Sequence, residues 1–109
     1  LLVIRKRLLT WKDGVSGHLK WTRPAINDLK DAGEFIALDS PQAAERMAER
    51  VKEAVEYLME FPNMGRPGRM PETRELIVSG TSFIIVYRIK VPAIEILRVL
   101  HHARKWHAV

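Results

Sequence analysis

From Ala25 to Leu38 the apolar residues Ala25, Ile26, Leu29, Ala32, Ile36 and Ala37 recur at the spacing of one helical face. Thr22 stands ahead of them as a capping residue, and Pro24 falls in the first turn, where a missing N–H costs nothing. Ser40-Pro41 repeats the device. A second helix is predicted from Pro41 to about Glu60, with Ala44, Met47, Ala48, Val51, Val55, Leu58 and Met59 on one stripe. Its other face carries Glu45, Glu49, Arg50, Glu53 and Glu56, as a solvated helix surface does. The two segments predict a helical hairpin.

Past Glu60 the pattern changes. Phe61 to Glu72, FPNMGRPGRMPE, is dense in proline and glycine and predicts an irregular connection. Thr73 to Ser79 then alternates with a period of two, Gly80-Thr81 turns the chain, and Ser82 to Lys90 is rich in β-branched and aromatic residues. After a turn at Val91-Pro92, Ala93 to about His101 reads as a further strand. Three strands on short turns predict an antiparallel meander, and His18 to Trp21 adds a short candidate strand before the first helix. The fold class expected is α+β, a helical hairpin packed on one face of a small antiparallel β-sheet. Residues 18–109 form that domain. Residues 1–17 fit no clean period and are expected to be an N-terminal extension outside it.

Composition narrows the class without naming a function. At 109 residues, 47% hydrophobic and 28% charged, the chain is neither disordered, collagen-like nor a coiled coil. Cysteine is absent, which removes disulfides, thiolate nucleophiles and thiolate metal sites. No apolar run is long enough to cross a bilayer or to serve as a secretory signal, so a soluble cytoplasmic protein without a membrane partner is expected. Charge is unevenly spread. Residues 22–61 hold five basic and nine acidic side chains, whereas residues 62–109 hold eight basic against Glu72, Glu75 and Glu95. The basic C-terminal half suits an anionic partner, either nucleic acid or an acidic protein segment.

Candidate chemistry gathers in that half. No metal site or cofactor is expected: His101 and His102 are adjacent and would point to opposite faces of a strand, and GRPGR is no phosphate loop, because proline cannot donate an N–H. Arg66, Arg69 and Arg74 precede or open the first meander strand, Tyr87 and Arg88 lie in the second, and Arg98, His101, His102, Arg104, Lys105 and Trp106 close the third. On one concave face, Arg74, Tyr87 and a histidine would suffice for metal-free RNA cleavage. Histidine or tyrosine would move the 2′-hydroxyl proton while guanidinium groups stabilise the phosphorane. Arg98, expected on one face with Ile96 and Leu100, needs a carboxylate or phosphate; Glu75 or an acidic helix residue could supply it. Trp106 either caps the open end of the core or stacks on a partner.

Taken in order, LKWTRPAINDL, AERVKEAVEYLMEFPNMGRPGR, TRELIVSGTSFIIVYRI and IEILRVLHHARKW resemble the RelE/ParE superfamily of type II toxin–antitoxin toxins. The resemblance covers about His18 to Trp106. It implies two helices on a small sheet with the N-terminal strand added. It also implies a cognate antitoxin whose C-terminal segment wraps the toxin in a hetero-oligomer.

The superfamily has two branches. RelE-like members cleave mRNA on the ribosome, and in that branch Arg74, Tyr87, His101 and His102 would be catalytic. Their characteristic hairpin arginine corresponds here to Ile84. The hairpin SGTSFIIVYRI and the ending IEILRVLH are more similar to ParE-type members, which poison DNA gyrase by binding. There the resemblance implies no catalytic residue, and Arg66, Arg69, Arg88, Arg98, Arg104, Lys105 and Trp106 would belong to a binding face. Three readings follow: a ParE-like gyrase poison, which the sequence favours, a ribosome-dependent mRNA endonuclease, or an inactive toxin-like module that binds nucleic acid or protein.

Overall fold

A computed structural model describes residues 19–101. In chain order the elements are β1 (Leu19–Trp21), α1 (Arg23–Asp39), α2 (Pro41–Glu60), β2 (Arg66–Pro67), β3 (Arg74–Ile77), β4 (Phe83–Lys90) and β5 (Ala93–His101). The two helices pack on a five-stranded sheet of order β1-β5-β4-β3-β2. The expected extension, with His102, Arg104, Lys105, Trp106 and His107, lies outside the described residues. Among the described residues no helix is long and apolar enough to cross a membrane.

Local chemistry sets the helix limits where the sequence placed them. Thr22 has an extended backbone, and its hydroxyl accepts from the Ala25 N–H. Ser40 does two things at once. Its N–H closes α1 on the Ile36 carbonyl at 3.0 Å, and its Oγ accepts from the Ala43 N–H at 3.1 Å to open α2. One residue therefore ends one helix and starts the next, with Pro41 following in the first turn.

The core lies between α2 and the sheet. Met47, Val51, Val55 and Leu58, spaced four, four and three apart, are buried against Phe83, Ile85, Tyr87, Ile96 and Val99. From α1 only Ala25 is fully buried, with Leu29, Ala32 and Ile36 packed at the margin. Two members of the predicted stripes fall outside. Ile26 is 48% exposed, and Ala48 is exposed while Ala54 packs on the core instead.

Three details of the sheet differ from expectation. The meander is antiparallel, but β1 joins β5 in parallel (Leu19 opposite Ile94, Trp21 opposite Ile96), so the sheet is mixed. Arg66 and Pro67, inside the stretch expected to be irregular, form a two-residue edge strand on β3. The register of β4 against β5 also slips between Val86 and Tyr87, so that Val86 faces Arg98 and Tyr87 faces Ile96. Leu97 is the extra residue of a bulge. Consequently Arg98 does not share a face with Ile96. Ile94 and Ile96 point into the core before the bulge, and Val99 does so after it.

Past the end of β1 the edge of β5 is closed by α1. The Thr22 hydroxyl lies 3.1 and 3.0 Å from the carbonyls of Ile96 and Leu97. The Asp28 carboxylate accepts from the Val99 N–H at 3.0 Å and grips Arg98 with both oxygens, at 2.7 and 2.9 Å. An acidic helix residue is thus the partner Arg98 requires, and the ion pair holds that guanidinium's pKa above its ordinary value. Replacing Asp28 by alanine should strip an acceptor from a strand N–H and a partner from Arg98, costing about 1–3 kcal/mol. Asp28→Asn, which keeps a carbonyl for Val99, should cost less; urea unfolding of the two variants measures the difference.

Candidate functional site

Tyr87 sits in the middle of β4, on the face that packs against the helices, and is completely buried. Its hydroxyl donates to the Pro62 carbonyl at 2.6 Å and accepts from the Gly65 N–H at 2.9 Å. Across the ladder from Tyr87, the Arg74 guanidinium donates to the carbonyls of Gly65 at 2.6 Å and Asn63 at 3.3 Å. The two neighbouring side chains together clamp the 61–66 loop. Gly65 is there for space, since a Cβ would stand 2.7 Å from the Tyr87 hydroxyl and 2.9 Å from the Glu75 carbonyl. Burial pushes the Tyr87 phenol above its ordinary pKa, against smaller opposing effects of the Gly65 N–H and Arg74. A phenol in this state stays protonated at neutral pH.

His101 is elsewhere. It pairs with Phe83 at the far end of β4 and stacks on that ring edge-on, centroids 5.1 Å apart. Four residues of strand separate Phe83 from Tyr87, about 13 Å along the ladder. The structure brings Arg74 to Tyr87 and leaves His101 at the opposite end of the strand.

Among the described residues, the predicted binding arginines Arg66, Arg88 and Arg98 are tied to carboxylates. Arg66 reaches Glu75 at 3.4 Å; Glu75 is only 5% exposed and also accepts from the Arg69 N–H at 3.3 Å. Arg88 meets Glu95 directly across the β4–β5 ladder at 2.6 Å. Arg98 is held by Asp28. Arg74 and Arg88 both line an open groove with Glu72, Ile89 and Lys90. Among the described residues no group of histidines and carboxylates is arranged to hold a metal ion.

Sequence reasoning anticipated an acidic helix residue for Arg98 without singling out Asp28, and it missed Glu95 and the loop carbonyls as the partners of Arg88 and Arg74. It also passed over Arg46 and Arg50 on α2, which form no ion pair among the described residues. Only the Arg88–Glu95 pair had a local signal, because a short turn at Val91-Pro92 places residues 88 and 95 nearly opposite.

Two predictions follow from this geometry. Tyr87→Phe leaves the Pro62 carbonyl and Gly65 N–H without their partner and should cost about 1–3 kcal/mol in chemical unfolding; Gly65→Ala should destabilise as well, by steric conflict. The second concerns acid. The Arg88 hydrogen bond, helped by the charges of Arg88, Lys90 and Lys20, holds the Glu95 carboxyl below the usual carboxylate range, against a lesser effect of burial. A carboxyl depressed in the folded state stabilises above its unfolded pKa, and the contribution is lost as pH falls through the folded value. The melting-temperature gap between the wild type and Glu95→Gln should therefore be largest near neutrality and close below about pH 4.

Residues 19–106 match the family described as ParE toxin of type II toxin-antitoxin system, parDE. The chain is 42% identical over 92 residues to the Sinorhizobium fredii protein Y4kP, covering 84% of this chain and 95% of that one. It is 38% identical to Toxin RelE2 of Caulobacter vibrioides, over 77% of this chain and 93% of the relative. A solved structure titled as the chromosomal ParDE TA system from P. aeruginosa superposes with a TM-score of 0.70 at 31% identity, over 79% of this chain and 96% of that one. The two helices on their mixed sheet are that structure's fold, and this chain belongs to the ParE toxin family of type II toxin–antitoxin systems.

Proposed function

We propose that this toxin arrests growth by binding and poisoning DNA gyrase, and that a cognate antitoxin holds it silent until released. The observation that carries the reading is the clamp on the 61–66 loop. Metal-free RNA cleavage needs a base for the 2′-hydroxyl, an acid for the leaving oxygen and a cation on the phosphorane, all within reach of one phosphate. Here the Tyr87 hydroxyl and the Arg74 guanidinium are both engaged by the loop backbone, and His101 is about 13 Å away along the strand. Ile84, in the position of the cleaving branch's arginine, is buried and apolar. In this reading Arg66, Arg69, Arg88, Arg98, Arg104, Lys105 and Trp106 contribute to a binding face, and the protein acts as an inhibitor in the cytoplasm.

A ribosome-dependent mRNA endonuclease is the competing reading, favoured by the name of the Caulobacter relative. In it Arg74, Tyr87, His101 and His102 would take catalytic roles. Purified gyrase, relaxed plasmid and stoichiometric toxin separate the two. Loss of supercoiling, with cleaved DNA trapped on the enzyme, is expected. Unimpaired supercoiling, together with transcripts cut at codon spacing in induced cells, would overturn the proposal.

A further inference from the structure

At the corner where α1 gives way to α2, a cleft of about 330 Å³ opens toward the β3–β4 turn. Ile36, Ala43, Met47 and Phe83 form its apolar walls, and Arg46 and Arg50 stand over it one helical turn apart. Neither arginine has a carboxylate within 4 Å among the described residues. Among the described residues Arg50 makes one hydrogen bond, from Nη1 to the Ser79 carbonyl at 3.0 Å, which settles its guanidinium over the turn with its other donors turned to no described partner. Gly80 permits that position. Its φ of +77° is left-handed, and an added Cβ would collide with the Arg50 guanidinium. Glu45 and Glu49 lie along the adjoining surface of α2 and do not line the cleft.

We infer that this cleft is an anchor point for the antitoxin, taking an apolar side chain into its walls and a neighbouring carboxylate onto Arg46 and Arg50. The inference rests on the toxin–antitoxin reading and adds to it the place and chemistry of one contact. Electrostatics points there. The basic C-terminal half is the surface that composition assigns to an acidic partner, yet Arg66, Arg88 and Arg98 already hold carboxylates of this chain. A partner's carboxylate must displace an internal one at those positions, whereas Arg46 and Arg50 hold no carboxylate among the described residues. Size also bears on the occupant. The cleft is at the small end of ligand pockets, roughly 300–1,000 Å³, and accepts one or two side chains rather than a whole helix. A polynucleotide backbone would ask for a longer row of open cations and no apolar walls.

The test uses the full chain and its cognate antitoxin, with dissociation constants from titration calorimetry. Arg46→Glu/Arg50→Glu should weaken binding by roughly a hundredfold or more, and Arg46→Lys/Arg50→Lys, which keeps the charges but not the two-pronged fork, by less. Both pairs of substitutions are on exposed side chains, and circular dichroism and gyrase inhibition should match the wild type. Unchanged affinity in the charge-reversed variant overturns the inference. So does loss of gyrase inhibition with antitoxin binding intact, which would assign the cleft to the target. Wild-type toxin that binds the antitoxin but leaves gyrase untouched refutes the gyrase reading alone. Wild-type toxin that binds no antitoxin refutes the underlying pairing and the inference with it.

Discussion

A strand in the middle of a sheet has a neighbour on each side, and β5 has to find one of its neighbours in pieces. On one side β4 runs its whole length. On the other, β1 covers only Ile94 to Ile96, after which the exposed N–H and carbonyl groups would be left to water or to another chain. Thr22 and Asp28 complete that edge largely with side chains: Thr22 sets its N–H and hydroxyl on the Ile96 carbonyl and its hydroxyl on that of Leu97, and Asp28 takes the Val99 N–H. Because Thr22 also caps α1, the helix starts where the strand edge needs cover. The α1 axis, the bulge at Leu97 and the approach of Arg98 to Asp28 are one arrangement. Without it neither the corner at Ser40 nor the seat of α2 on the sheet would be defined.

Helix limits were legible because each is written in a few adjacent residues: a hydroxyl, a proline and a run at 3.6 spacing. The strand directions were harder. Three residues, Leu-Lys-Trp, say nothing about whether β1 runs with or against its neighbour, and that direction follows from the helices returning the chain to the sheet. The bulge left no trace either. IEILRVLH alternates or runs apolar throughout, so nothing marked Leu97 as the extra residue, and Arg98 was assigned to the wrong companions as a result.

The candidate site divides along the same line. That residues 62–109 are basic and that Tyr87 and Arg74 belong together could be read from the chain, since both lie at matching positions of a hairpin. Which face Tyr87 takes could not. An aromatic residue on a two-sided buried strand fits either surface, and the decision rests on Pro62 and Gly65 coming within reach of its hydroxyl. Which acidic helix residue would meet Arg98 was illegible for a related reason. Asp28 and Arg98 are seventy positions apart, and their meeting depends on the sheet edge described above.

The single residue between the helices has a further consequence for how such a chain can vary in length. With Ser40 serving as the end of α1 and the start of α2, the rotational phase of one helix is locked to the other. One inserted residue at that corner would turn α2 by about 100° about its axis. The Met47, Val51, Val55 and Leu58 ridge would then face the flank of α1 or solvent instead of β4. Insertions and deletions must therefore collect in connections that carry no such phase, such as the turn at Val91-Pro92, while the helical corner keeps its length.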